Sequence, residues 1–326
     1  MREIIELSKA VAQNRPVANF SVSDAEEALR QEFRKLVTVN GEANGKITSK
    51  SWNDGKYEVF AIIQETIDAT IPQEIDKVLY EVAEVKHYNN GDKPRFKVNT
   101  SNLDHIRRFV TKAVKAGRYK RTRLDEQYLD VEIYQHGGAV YQSWEDVLSG
   151  RGSIAELFAQ MMIALEFNIY DDVANALEGI AKELPPTLSH TGSFDISELY
   201  RIGKELKKYG QPTIYCTEGF AFQHLASEPG IMSEVEKLEL RNRGYNTIVK
   251  GMPVVVLPSG TVMNDETAYI LPAGINDKPI KIAYEGETQI RDFQNESWDL
   301  EIQWYKKVGV AIVNAANKMG VITVEE

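Results

Sequence analysis

Apolar residues recur at three- and four-residue spacing over one long stretch: Phe158, Met162, Leu165, Ile169, Val173, Leu177 and Ile180. That periodicity predicts a single helix from Ser153 to about Ala181, roughly 43 Å long at 1.5 Å per residue. Ser153 and Glu156 have the spacing of a capping box, in which each side chain satisfies an orphaned backbone N–H. Pro185-Pro186 closes the segment. A helix this long exceeds the usual three or four turns and reads as a structural beam. Just upstream, Val131 and Ile133 alternate with Asp130, Glu132 and Tyr134, the pattern of a half-buried strand. Gly137-Gly138 then reads as a turn into a short strand that ends at Gln142-Ser143-Trp144.

The rest of the chain reads by the same signals. Residues 1–21 have weak periodicity and read as an arm. A first helix is expected after the box Ser23-Asp24-Ala25-Glu26, with Ala25, Leu29, Phe33 and Leu36 on one face. Asn40-Gly41 and Asn44-Gly45 mark turns. A second helix spans about Tyr57 to Ala69, with Tyr57, Phe60, Ile63 and Ile67 in register and Pro72 closing it. Asn90-Gly91 is a hairpin-type turn signal, Phe96 and Val98 alternate with charged residues, and a helix through Leu103, Ile106, Phe109, Val110 and Val114 ends at Gly117. Beyond the long helix come a helix from Phe194 to Leu206 ended by Gly210, a strand at 212–217, and helices near Phe220–Ala226 and Glu234–Leu240. Pro253 to Pro258 reads as a strand buried on both faces. Strands follow at 267–272, 279–285, 298–306, Val308–Val313 and Val321–Val324. No internal repeat is visible.

Charge changes this picture more than composition does. The 326 residues are 43% hydrophobic and 26% charged, ordinary for a globular protein. No run of 18 apolar residues and no secretory signal appears, so a cytoplasmic location in the producing cell is expected. The net charge is −10, but eleven bases and one acid, Asp104, lie between Lys93 and Arg123. That segment carries +10 and leaves −20 on the remainder. The bases are Lys93, Arg95, Lys97, Arg107, Arg108, Lys112, Lys115, Arg118, Lys120, Arg121 and Arg123.

The order of strand, Ser143, Glu145, Leu148, long helix, Asp171-Asp172 and Leu177-Glu178-Gly179 resembles the spine region of the tailed-phage major capsid proteins of the Hong Kong 97 type. Glu145 stands one place from the family's commonest spacing. Gly251 to Val256 looks like the central strand of that family's axial domain. Trp298 to Ile302, and then Gly309 to Asn314, resemble its closing strands. The resemblance runs in order from about Asn44 to Val324. It implies an α+β fold of the Hong Kong 97-like capsid type, with an N-terminal arm, an extended loop, a peripheral domain holding a long spine helix, and an axial α/β domain. The implied division is arm and first helix at 1–43, peripheral domain at 44–76, extended loop at 77–130, peripheral domain with spine at 131–187, axial domain at 188–279, and C-terminal strands returning to the peripheral domain at 280–326.

Catalytic constellations are missing from the pattern. His87, His105, His136, His190 and His224 include no pair at metal-ligand spacing, and there is no P-loop, nucleophile elbow or dinucleotide fingerprint. Cys216, the only cysteine, excludes an internal disulfide and reads as a small buried filler. Gly150-Arg151-Gly152 reads as a flexible joint in preference to an anion site. Glu234, Glu236 and Glu239, interleaved with Lys237 and Arg241, read as a solvated face. No enzyme, cofactor or metal is expected.

The resemblance therefore implies a virion subunit that assembles with itself into hexamers and pentamers in the host cytoplasm. The shell would enclose double-stranded DNA without sequence-specific contact. Scaffolding, portal and possibly cement proteins are the implied partners, and no membrane is. The basic segment is expected to meet an acidic neighbouring subunit, and Asp171 and Asp172 a polar contact there. Only about twenty residues precede the first helix, so no maturation cleavage is expected. The alternatives are an encapsulin-type nanocompartment shell, or a nucleic-acid-binding module in which Phe96, Phe109 and Tyr119 stack among the bases of 93–123.

Overall fold

The computed structural model describes residues 7, 22–98, 127–142, 154–225, 245–257, 262–274, 278–294, 300–313 and 319–325. Three long helices are central: α1 (Val22–Val37), α2 (Ser49–Leu79) and α3 (Ile154–Ala181). α3 is the helix read from the apolar spacing, and it is unbroken. Met162, Leu165, Ile169, Val173 and Leu177 are buried along it. Ser153, expected as its cap, lies outside the described residues. α1 begins at Val22, which puts Ser23 inside its first turn and not at its cap.

α2 corrects the expectation most. It runs 31 residues, begins at a cap where Thr48 accepts from the Ser51 N–H and Ser51 from the Thr48 N–H, and contains Pro72 in its interior. A proline there costs about 3 kcal/mol. The helix continues because Ile75 and Leu79 extend the buried stripe of Trp52, Val59, Ile63, Ile67 and Ile71. Burying two such side chains is worth roughly 1.5–3 kcal/mol each. Tyr57, read as part of the inner face, is 69% exposed.

Six strands form two small sheets beside these helices. β1 (Ala83–Tyr88), β10 (Ile280–Gln294), β11 (Leu300–Ile312) and β4 (Tyr134–Gln142) form one sheet in the order β1-β10-β11-β4. β10 and β11 are two long antiparallel strands where shorter pieces were expected, so 308–313 continues the strand that begins at Leu300. β2 (Arg95–Val98) and β3 (Gln127–Asp130) form a separate ribbon. The turn at Asn90-Gly91 exists, with Gly91 at φ 87°, but it passes the chain from β1 to that ribbon and makes no hairpin. Gly137-Gly138 is not a turn either. Both glycines lie inside β4, because a Cβ on Gly137 would stand 2.2 Å from the Trp304 carbonyl oxygen of β11.

The second main sheet has the order β5-β12-β9-β6-β8-β7. Its strands are β5 (Ser189–Gly192), β6 (Gln211–Cys216), β7 (Ile248–Val249), β8 (Met252–Val256), β9 (Thr267–Ala273) and β12 (Gly320–Val324). α4 (Ile196–Leu206), capped by Asp195, packs on it, and α5 (Glu218–His224), capped by Thr217, follows β6. β9 is fully interior, and so is β6 from Pro212 to Cys216, as their apolar runs require. β8 is not. Val254, Val255 and Val256 are only half-buried, because the two residues of β7 pair with Pro253 and Met252 and go no further. A three-valine run therefore marks a strand near the sheet's edge. β12 corrects a second expectation: it lies between β5 and β9, so the last strand leaves 280–312 and joins the six-stranded sheet.

Candidate intersubunit surfaces

The base of the basic segment is the β2–β3 ribbon. Alternation along β2 buries Phe96 and Val98 and exposes Lys93, Arg95 and Lys97. Phe96 packs edge-on against Tyr88, with the Lys86 ammonium 4.7 Å from its ring centre. The Arg95 Nε donates to Asp130 Oδ1 at 2.8 Å across the ribbon, and the Tyr88 hydroxyl donates to the Arg95 carbonyl at 2.6 Å. Arg107, Arg108, Lys112, Lys115, Arg118, Lys120, Arg121 and Arg123, and the helix expected around them, lie outside the described residues. So do Ser143, Glu145 and Leu148, Gly150 to Gly152, and Glu234 to Arg241.

The ribbon stands on a network of buried charge that the sequence reading missed. Lys281 of β10 is fully buried and reaches Glu84 of β1 at 2.6 Å. Burial pushes the Glu84 carboxyl up, but hydrogen bonds from Lys281 and Lys86 outweigh it and the net shift is downward. Lys306 of β11, 3% exposed, donates to Asp68 of α2 at 2.5 Å and to the Gly286 carbonyl at 3.0 Å. Asp68 also accepts from the Thr288 N–H and hydroxyl. Lys307 pairs with Glu285, which takes the Gly91 N–H as well. Lys56 and Trp52 of α2 both donate to Asp292. A polar line along α2 is thus fastened to the long β10–β11 pair. The signal was legible: Ile302, Trp304, Lys306 and Val308 share one strand phase, so Lys306 faces inward with apolar neighbours.

Asp171 and Asp172 point different ways from α3, as adjacent helical residues must. Asp171 Oδ1 accepts from the Val262 N–H at 2.8 Å. Asp172 Oδ2 comes within 3.0 Å of His136 Nε2 on β4, outside hydrogen-bonding geometry. Asp171 is thus bonded within the chain through one oxygen, and Asp172 lies beside His136.

Beside that contact, β4 and the first half of α3 enclose an open cleft of about 430 Å³. Trp304, Met161, Val140 and Ala164 give it apolar walls, and Gln160 and Asn168 line it with amides. A second cleft of about 510 Å³, lined by polar side chains such as Asn175, Glu178 and Thr267, lies between the end of α3 and the six-stranded sheet. Among the described residues no group of His, Cys, Asp or Glu could hold a metal ion. Cys216 is buried, and burial alone pushes its thiol up to about 12, which leaves it a protonated filler at neutral pH.

These surfaces belong to a known family. Residues 3–323 match the family described as "SPbeta prophage-derived putative capsid protein YonB". The chain belongs to that family. No curated protein matches the YonB-family chain significantly. Solved capsid structures match its fold at low identity. The satellite phage P4 procapsid with its size determination protein is 10% identical, covering 83% of this chain and 96% of that one, at a TM-score of 0.55. The capsid of cyanophage P-SCSP1u is 8% identical, covering 76% and 88%, at a TM-score of 0.51. The bacteriophage PhiM1 mature capsid is 9% identical, covering 76% and 86%, at a TM-score of 0.50. The fold is thus the Hong Kong 97-like capsid fold, and the YonB-family chain is a phage major capsid protein, a structural subunit of the icosahedral head.

Proposed function

We propose that this capsid subunit assembles with itself into hexamers and pentamers whose shell encloses double-stranded DNA, and that it carries no enzymatic activity. The observation that supports this most is the family match over nearly the whole chain. Charge placement supports it too. A segment with ten net positive charges on a chain that is otherwise acidic offers complementary surfaces between copies. The −20 of the remaining chain puts a negative one in every adjacent copy. The bases from Lys93 to Arg123 are therefore assigned to subunit contacts, with Arg95 already turned outward on its ribbon.

In the same reading the domains follow the sheets. The peripheral unit holds α1, α2, α3 and the four-stranded sheet, and the axial unit holds the six-stranded sheet including β12. Scaffolding, portal and cement proteins from other genes are the natural partners, and host cytoplasm the natural place of assembly. An encapsulin-type shell is the lesser alternative, because the long basic extension suits a viral subunit better. Negative-stain microscopy of the purified protein tests the central claim: rings or closed shells are expected. A population that remains monomeric at every concentration and salt would remove it.

A further inference from the structure

The six-stranded sheet has two unlike faces. On one, α4 packs against β9 and β12, so closely that a Cβ added to Gly320 would stand 2.3 Å from Ile202. The other face turns toward the end of α3, and there the strand alternation presents hydroxyls. Register sets Thr191 of β5, Thr323 of β12 and Thr267 of β9 in one row, with Ser189, Val321 and Tyr269 in the next. Both rows line the cleft of about 510 Å³ that Ala174, Asn175 and Glu178 of α3 cover from above. That volume lies within the range of about 300–1,000 Å³ typical of small-molecule sites.

Tyr269 sets this cleft apart from an ordinary wetted groove. The residue is only 3% exposed, yet its hydroxyl has no hydrogen-bond partner among the described residues, and a buried tyrosine usually finds one. Burial, and then the Glu178 charge, push the phenol up to about 12, so it remains a protonated donor. The Thr267 hydroxyl, on a residue 8% exposed, also lacks a partner among the described residues. Buried polar groups left this way are costly unless something fills the space and bonds them. The charges at the rim narrow what that is. Glu178 and Lys182 pair with each other at 2.9 Å, which leaves no net charge to hold an ion. The remaining polar groups are hydroxyls and amides, which donate and accept alike, and Leu184 and Met263 add apolar wall.

We propose that this cleft binds a neutral polyhydroxylated ligand, a mono- or disaccharide, with Tyr269 and the row Thr191, Thr323 and Thr267 as its hydrogen-bonding wall. A sugar carries the matching mixture: hydroxyls that both donate and accept around its edge, and a C–H face that suits the apolar wall. A charged ligand would be desolvated with no free counter-charge to meet it.

Saturation-transfer difference NMR on the full-length protein tests this, with maltose, sucrose and N-acetylglucosamine as probes. At least one should give a saturable signal, and if none does the proposal falls. Glucosamine and glucuronate are the charged comparators, and tighter binding of either one would overturn the neutral assignment. Tyr269→Phe and Thr323→Val each remove a hydroxyl at nearly constant shape, and each should weaken the sugar about two- to tenfold. Tyr200→Phe, exposed on α4 beyond the opposite face, should change nothing. Unchanged binding in both cleft variants would place the sugar elsewhere. Acetylation of the wild-type chain gives a readout that needs no variant. Bound sugar should slow the reaction of Lys182 and leave that of Lys204, exposed on α4, at its own rate. Protection of both lysines, or of neither, would overturn the site.

Discussion

Lys306 shows what a single side chain demands of this fold. It is buried beneath β11, and an ammonium there costs several kcal/mol unless it is paired and hydrogen-bonded. Asp68 and the Gly286 carbonyl satisfy it, and Thr288 holds Asp68 in place. Asp68→Ala should therefore destabilise the subunit by about 3 kcal/mol or more, read by urea unfolding. A loss near that of an ordinary surface substitution would show that Lys306 finds water instead. Two other carboxyls predict opposite pH responses. Glu84, net lowered, contributes stability that is present above its ordinary value of 4.5 and lost as pH falls through its folded value. Glu166 of α3 is raised, first by burial and then by the Glu74 charge on α2, against weaker help from Lys77 and Tyr170. Its folded state thus favours the proton, and that contribution is lost as pH rises through the raised value. Glu166→Gln should raise the melting temperature at pH 7 and have little effect near pH 4. An equal effect at both pH values would place the cause outside titration.

At the scale of elements, the legible features were those in which one local signal dominated. α3 was bounded to within a residue by its apolar period and its flanking prolines, and β9 and β12 by short apolar runs between turns. The misreadings share a cause: a local rule was overridden by packing that only the fold supplies. Pro72 did not end α2 because a distant core extends past it. Gly137-Gly138 did not turn because β11 needs a close neighbour there. β10 was read only as 279–285 because Gly286, at φ 65°, looks like a strand end, whereas its pairing with β11 shifts register after Glu285 and resumes at Gln289. Of the candidate contact residues, the outward set of β2 followed from simple alternation. The partners that Asp171 and Asp172 find, Val262 and His136, are distant in sequence and left no local mark. Two substitutions test the packing argument. Pro72→Ala should restore a backbone bond within α2 and stabilise the subunit by about 1–3 kcal/mol. Gly137→Ala forces a Cβ onto the Trp304 carbonyl and should destabilise by about 1–3 kcal/mol. Thermal unfolding that shows either change with the reverse sign would contradict the account of that element.

For the whole molecule, the decisive quantity is the separation of charge along the chain. Exposed ion pairs contribute at most about 1 kcal/mol each, so no single base in 93–123 should be indispensable. Several acting at one interface steer encounter and set register, and they are screened beyond about 10 Å at 0.1 M salt. Shell formation should accordingly weaken with salt well before the subunit unfolds, since the core is held by apolar burial and by paired buried charge. Reversing Arg107, Arg108 and Lys112 together to Glu changes the segment from +10 to +4. That triple variant should remain folded by circular dichroism yet fail to form rings or shells by sedimentation and negative stain. Three single reversals should each weaken assembly only modestly. Normal assembly of the triple variant would detach the basic segment from subunit recognition. Recovery of a wild-type segment crosslinked to packaged DNA would do the same, and would favour the nucleic-acid reading of the aromatic residues among those bases.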